Sequence, residues 1–85
     1  MITVLYFASL REELGLNREQ LDGAALQLSD VASLIAHLRA RDPLFAEALA
    51  PTKNWRIAVN QEMATPHTHI ASGDEVALFP PVTGG

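Results

Sequence analysis

Residues 75–85 read EVALFPPVTGG, and this stretch decides the fold. Glu75 to Phe79 has the character of a strand, and strand side chains alternate between two faces. Val76 and Leu78 share one face, and Glu75, Ala77 and Phe79 share the other. A carboxylate marks its own face as the wet one. Val76 and Leu78 therefore point to a core, and Phe79 points outward. Pro80 and Pro81 fix φ and stiffen the base of the terminal segment. Val82, Thr83, Gly84 and Gly85 complete a thin tail whose last two residues lack a Cβ. Six extended residues, 80–85, reach at most about 20 Å.

A strand that apolar needs an apolar neighbour, and the N-terminus supplies it. Residues 1–8, MITVLYFA, are rich in β-branched and aromatic side chains. Ile2, Val4 and Tyr6 alternate with Thr3, Leu5 and Phe7, and Thr3 assigns the second set to the outer face. Phe7 and Phe79 then lie on that outer face near the chain end, either as a partner surface, which exposed clustered aromatics often mark, or as a minor core covered by loops. Ser9 to Glu12 has the pattern of a capping box, which predicts a short helix starting there and stopped at Gly15. Residues 18–28, broken by Asp22-Gly23, predict a weaker strand returning along the first. The clearest helix carries Val31, Leu34, Ile35 and Leu38 on one stripe, with Ser29 or Asp30 as cap and Asp42-Pro43 as stop. Residues 44–50 predict a second short helix. Arg56 to Asn60 predict a strand, Gln61-Glu62 a turn, Met63 a short arm and Ser72-Gly73-Asp74 another turn. Two strand pairs flanking one good helix predict an α+β fold with a mixed sheet, the helix packed across one face. The first and last strands lie side by side in its middle. This is a β-grasp, or ubiquitin-like, roll: a domain over residues 1–79 and a tail over residues 80–85.

Composition narrows what such a domain does. The chain is 48% hydrophobic with a net charge of −4, and its six basic residues are scattered. That argues against nucleic acid, which requires clustered Lys and Arg. The opening apolar run is too short to span a bilayer, which takes roughly 20 residues, so no membrane partner is expected and the setting reads as cytoplasmic. There is no cysteine, which removes disulfides, zinc-thiolate sites and any cysteine nucleophile. His67 and His69 stand two apart without an obvious further ligand and read as a solvated loop, so no metal is expected. Glu12-Glu13 and Asp74-Glu75 are adjacent pairs, which do not face each other as catalytic carboxylates must.

The tail is what remains for chemistry. Its tip offers the Gly85 α-carboxylate, ionised at neutral pH and a poor electrophile. Covalent work there requires activation, for example as an acyl adenylate. The chain holds neither a G-x-x-x-x-G-K-[ST] nor a G-x-G-x-x-G nucleotide motif. Any activation therefore belongs to a partner enzyme, and the chain alone is not a catalyst.

Three segments carry a family resemblance: MITVLYFASLREELG at the start, AVNQE in the middle and SGDEVALFPPVTGG at the end. Together they resemble the MoaD family, the small, sulfur-carrying subunits of molybdopterin synthase. The resemblance implies that Gly85 is adenylated by a MoeB-type, E1-like enzyme using ATP and becomes a thiocarboxylate with sulfur from a donor protein. It implies that Pro80, Pro81, Val82, Thr83 and Gly84 insert into a MoaE-type large subunit within a heterotetramer. There the thiocarboxylate would give its sulfur to cyclic pyranopterin monophosphate, with no cofactor bound to the small subunit itself. It further implies a contact surface that includes Phe7, Met63 and Phe79, with Arg11 adding a polar contact. Two other readings share the fold and the Gly-Gly end: a carrier for another pathway, such as thiamine-thiazole synthesis, and a ubiquitin-like protein modifier.

Overall fold

The two most apolar stretches of the sequence lie next to each other in parallel, as their composition requires. β1 (Ile2–Tyr6) pairs with β5 (Glu75–Phe79), Val4 opposite Val76 and Tyr6 opposite Leu78. The computed structural model describes residues 1–80. The tail residues Pro81, Val82, Thr83, Gly84 and Gly85 lie outside the described residues. Between the two central strands the chain forms α1 (Ala8–Leu14), β2 (Arg18–Leu21), α2 (Val31–Arg41), α3 (Pro43–Ala48), β3 (Arg56–Val59) and β4 (Glu62–Met63). The sheet runs β2-β1-β5-β3-β4, and every neighbouring pair except β1–β5 is antiparallel. This is the β-grasp roll expected from the sequence.

Register converts alternation into layers. Val4, Val76 and Val59 form one row across three strands, and Tyr6, Leu78 and Ile57 form the next. All six are buried, as are Val31, Leu34 and Leu38 of α2, which lies on this inner face. Asp30 caps α2: its carboxylate accepts from the Ser33 N–H at 2.8 Å, and the Ser33 hydroxyl accepts in return from the Asp30 N–H at 3.1 Å. Asp42 ends α2 and also begins α3, accepting from the Phe45 N–H at 3.0 Å, with Pro43 at the position where a missing N–H costs nothing.

Three local expectations are corrected. The first helix begins at Ala8 with Phe7 as N-cap, and no side-chain cap bond forms there, so Ser9 and Glu12 do not make a capping box. The reason is the sheet: the Phe7 N–H donates to the Leu78 carbonyl at 3.0 Å, holding Phe7 extended, and the Phe7 carbonyl then accepts from Leu10 at 3.1 Å. Gly15 ends the helix at φ 73°, as expected. β2 stops at Leu21 instead of continuing to residue 28. The Asp22 carboxylate accepts from the Ala25 N–H at 3.1 Å, and its carbonyl from the Leu26 N–H at 3.0 Å, which winds the chain into turns and leaves Leu26 exposed. The β3–β4 turn falls on Asn60-Gln61, one residue earlier than expected. Both have positive φ, 51° and 69°, as a two-residue hairpin matched to strand twist demands. Asn60 tolerates that conformation and ties the turn to β5, donating to Asp74 at 3.1 Å and accepting from the Glu75 N–H at 3.0 Å.

Candidate functional site

The outer face of the sheet is built by the same register. Arg18, Leu5, Ala77, Ala58 and Met63 are successive partners across all five strands, and directly paired residues share a face. Arg56 is opposite Phe79 in the next row. Phe7 follows Tyr6 by one alternation and stays bonded to β5, so it stands on this same face beside Phe79. The helices occupy the other side, which leaves this face without a covering layer among the described residues. Phe7 is 44% exposed and Met63 67% exposed, while Leu5, Ala77 and Phe79 are half-buried. A flat surface with small residues at its centre and large apolar ones toward its margins suits a protein partner.

The sequence-predicted contact residues are thus partly brought together. Phe7 and Phe79 lie on the same outer face, as alternation implied. Met63, which in the sequence only the family resemblance singles out, joins their face because β4 pairs Met63 with Ala58. Arg11 lies on α1, one helical turn from Phe7, whose carbonyl accepts from the Arg11 N–H at 3.4 Å. Its side chain is exposed, with no ion pair among the described residues.

The root of the tail is fixed by elements from both halves of the chain. Pro80 is half-buried and lies in a shallow cleft of about 120 Å³ with Leu10, Ala48 and Trp55. The Trp55 indole N–H donates to the Ala50 carbonyl at 3.1 Å, which holds the ring in place. Trp55 was missed by sequence reasoning. It is the chain's single tryptophan and directly precedes β3. Its position beside the tail follows only from the pairing of Arg56 with Phe79.

No catalytic apparatus accompanies these surfaces among the described residues. The Tyr6 hydroxyl, 2.7 Å from Glu19, is pushed far above its ordinary range, first by burial and then by the hydrogen bond and charge of Glu19. It stays protonated and works as a structural donor. Arg41 closes the cluster, 2.9 Å from Glu19 and stacked over the Phe45 ring at 4.7 Å. His67 and His69 are exposed, and no group of three metal-ligating side chains occurs among the described residues. No helix among them is long and apolar enough to cross a membrane.

Comparison with known proteins places this arrangement. The model of the ThiS family matches residues 4–85. The molybdopterin synthase sulfur carrier subunit of Escherichia coli is 40% identical over 85 residues, spanning all of both chains. That of Haemophilus influenzae is 35% identical over 85 residues, again spanning all of both. Among solved structures, SAMP1 of Haloferax volcanii, a small archaeal modifier protein, superposes with a TM-score of 0.75 at 28% identity, covering 99% of this chain and 98% of that one. With matches that run end to end and a fold that agrees, the chain belongs to the ThiS family and, within it, to the sulfur carrier subunits of molybdopterin synthase.

Proposed function

We propose that this chain carries sulfur on Gly85 as a thiocarboxylate and donates it, inside a complex with a large synthase subunit, to a pterin precursor of the molybdenum cofactor. The observation that carries this reading is the end-to-end 40% identity with a curated sulfur carrier subunit. In the first step, the Gly85 carboxylate attacks the α-phosphorus of ATP on an E1-like partner and releases pyrophosphate. A persulfide of a donor protein then attacks the acyl carbon and displaces AMP, forming an acyl disulfide, and a thiol reductant cleaves its S–S bond to leave C(=O)–S⁻ and the donor thiol. The thiocarboxylate sulfur bonds to a pterin carbon as an oxygen leaving group departs from it, and water then attacks the acyl carbon, breaking its C–S bond to leave sulfur on the pterin and return the carboxylate. The chain supplies the acyl group and the surfaces that present it; its partners supply nucleotide binding and catalysis.

The division of labour is part of the proposal. Residues 1–79 form the scaffold. Residues 80–85 form the arm, with Pro80, Pro81, Val82, Thr83 and Gly84 entering the large subunit. Phe7, Met63 and Phe79 contact the partners, and Arg11 adds a polar contact. Two small and two large subunits make the synthase, and the setting is cytoplasmic. The uncovered outer face supports the contact set, since it holds all three apolar residues.

Intact-mass measurement tests the chemistry. After incubation with an E1-like enzyme, ATP and a sulfur donor, the chain gains about 16 Da, the difference between sulfur and oxygen at an activated acyl group. A chain lacking Gly85 gains nothing and is expected to keep its thermal transition, since chain ends rarely carry a domain's core. No gain on the full chain overturns the reading. A second reading, attachment of Gly85 to other proteins through an amide bond, is favoured by the fold shared with the small archaeal modifier protein at 28% identity. Conjugates of higher mass in place of the thiocarboxylate decide for it.

A further inference from the structure

A second surface lies at the β3–β4 edge of the sheet, between α2 and the strands, where Arg56 and Met63 also border the outer face. β4 has only two residues, after which the chain leaves the sheet and runs to the start of α2, where Pro66 and Thr68 carbonyls accept from Ala32 and Val31 at 2.9 and 3.0 Å. Among the described residues, the region between α2 and the start of β3 is left uncovered. It forms a groove of about 500 Å³, within the size range of built binding clefts. Ile35, Trp55 and Ile57 give it an apolar floor, all three packed against the core. Ala32 and Ala36 keep the helix wall low.

Its charge is opposite to that of the molecule. The chain carries ten acidic and six basic residues. Three of the six, Arg39, Lys53 and Arg56, line this groove, and no acidic residue among the described ones does. Elsewhere Arg41 is bound to Glu19. The Arg39 Nε atom is buried without a hydrogen-bond partner among the described residues. Cations lining a groove give an incoming carboxylate charge-assisted bonds. An apolar floor beneath three cations, on a protein of net charge −4, selects its occupant by complementarity.

We propose that the α2–β3 groove docks an acidic peptide segment of a partner protein, one that sets an aliphatic or aromatic anchor on Ile35 and Trp55 and carboxylates on Arg39 and Lys53. The site shares Lys53 and Trp55 with the cleft at Pro80, but docking there does not require the Gly85 chemistry. Met63 borders both surfaces, so a partner that wraps the β4 edge reaches the two at once.

The test uses the full chain and a displayed library of random ten-residue peptides, selected on the wild type and counter-selected on the Arg39→Glu/Lys53→Glu double variant. Surviving sequences combine Asp or Glu with Leu, Ile, Phe or Trp. Synthetic copies change the fluorescence of Trp55 on titration. Affinity falls at least about tenfold in the double variant and weakens with added salt, as charge pairing at a partly exposed site requires. Ala36→Glu, a good helix former at an exposed helical position, also abolishes binding while thermal melts match the wild type. The proposal is overturned if no sequence survives counter-selection, if survivors lack acidic residues, or if they bind Ala36→Glu with unchanged affinity. Concentration-dependent dimerisation that the double variant abolishes overturns it as well, since the groove then belongs to a second copy of the chain.

Discussion

Tyr6 shows how one side chain links three elements. Its ring is buried between the sheet and α3, edge-on to Phe45 with centroids 6.2 Å apart, while its hydroxyl reaches Glu19 on β2, and Glu19 reaches Arg41 at the end of α2. Tyr6→Phe keeps the packing and removes one hydrogen bond to a charged acceptor. A loss of about 1.5 kcal/mol in urea unfolding is expected, with thiocarboxylate formation at Gly85 unchanged. Two carboxylates set the acid limit. Asp30 is held below its ordinary range by the backbone N–H and hydroxyl of Ser33, and Asp74 by the Asn60 side chain and the Ala71 N–H. Groups depressed in the folded state stabilise it above their unfolded pKa and lose that contribution as pH falls through the folded value. Stability therefore declines below about pH 4. In Asp30→Asn and Asp74→Asn the decline between about pH 6 and pH 3 is shallower, measured by urea melts across that range.

At the scale of elements, the turn after β2 depends on a close approach. A Cβ on Gly23 would stand 2.6 Å from the Ile2 Cδ1 and 3.3 Å from its Cγ1. Ile2 is fully buried, so its terminal methyl can turn aside only within a packed core. Gly23→Ala is expected to destabilise by about 1 kcal/mol, at the low end for overpacking because one methyl group moves. Thermal unfolding by circular dichroism measures it, and an unchanged transition would show that the 22–27 turn shifts freely. The element boundaries carry a related lesson. The α2 cap and stop were legible, because Asp30, Asp42 and Pro43 act on backbone within four residues of themselves. The start of α1 was not, because Leu78, 71 positions away, fixes Phe7 as its N-cap through one sheet bond.

For the whole molecule, the decisive feature is a sheet with two different faces. One is covered by α2 except at the groove beside β3, and the other, among the described residues, stands open with Phe7, Phe79 and Met63 on it. Met63→Asp sits at 67% exposure and is expected to leave the thermal transition where it is. Binding of the large subunit, followed by calorimetry, should weaken about tenfold or more if Met63 is an anchor of that interface. Equal binding by wild type and variant removes Met63 from the contact set. Phe79→Ala separates the roles further. Its ring is half-buried at the root of the tail, on the strand position paired with Arg56, so both binding and the delivery of Gly85 are expected to suffer.

The sequence by itself determined the strands and helices whose signals are local: alternation in Ile2–Tyr6 and Glu75–Phe79, the 3.6-residue stripe of α2, and the turn chemistry of Ser72-Gly73-Asp74. It also determined the order of elements from which the β-grasp roll follows, and which side of β1 and β5 faces water. What only the tertiary structure decided rests on pairing between distant segments. Met63 joins Phe79 through β4, β3 and β5, Trp55 reaches Pro80 through β3 and β5, and the cationic groove exists because β4 is too short to cover it. The physical reason is the same throughout. Periodicity records which way a side chain points relative to its own backbone, whereas a neighbour across the sheet is set by register, and register is fixed by the whole core at once.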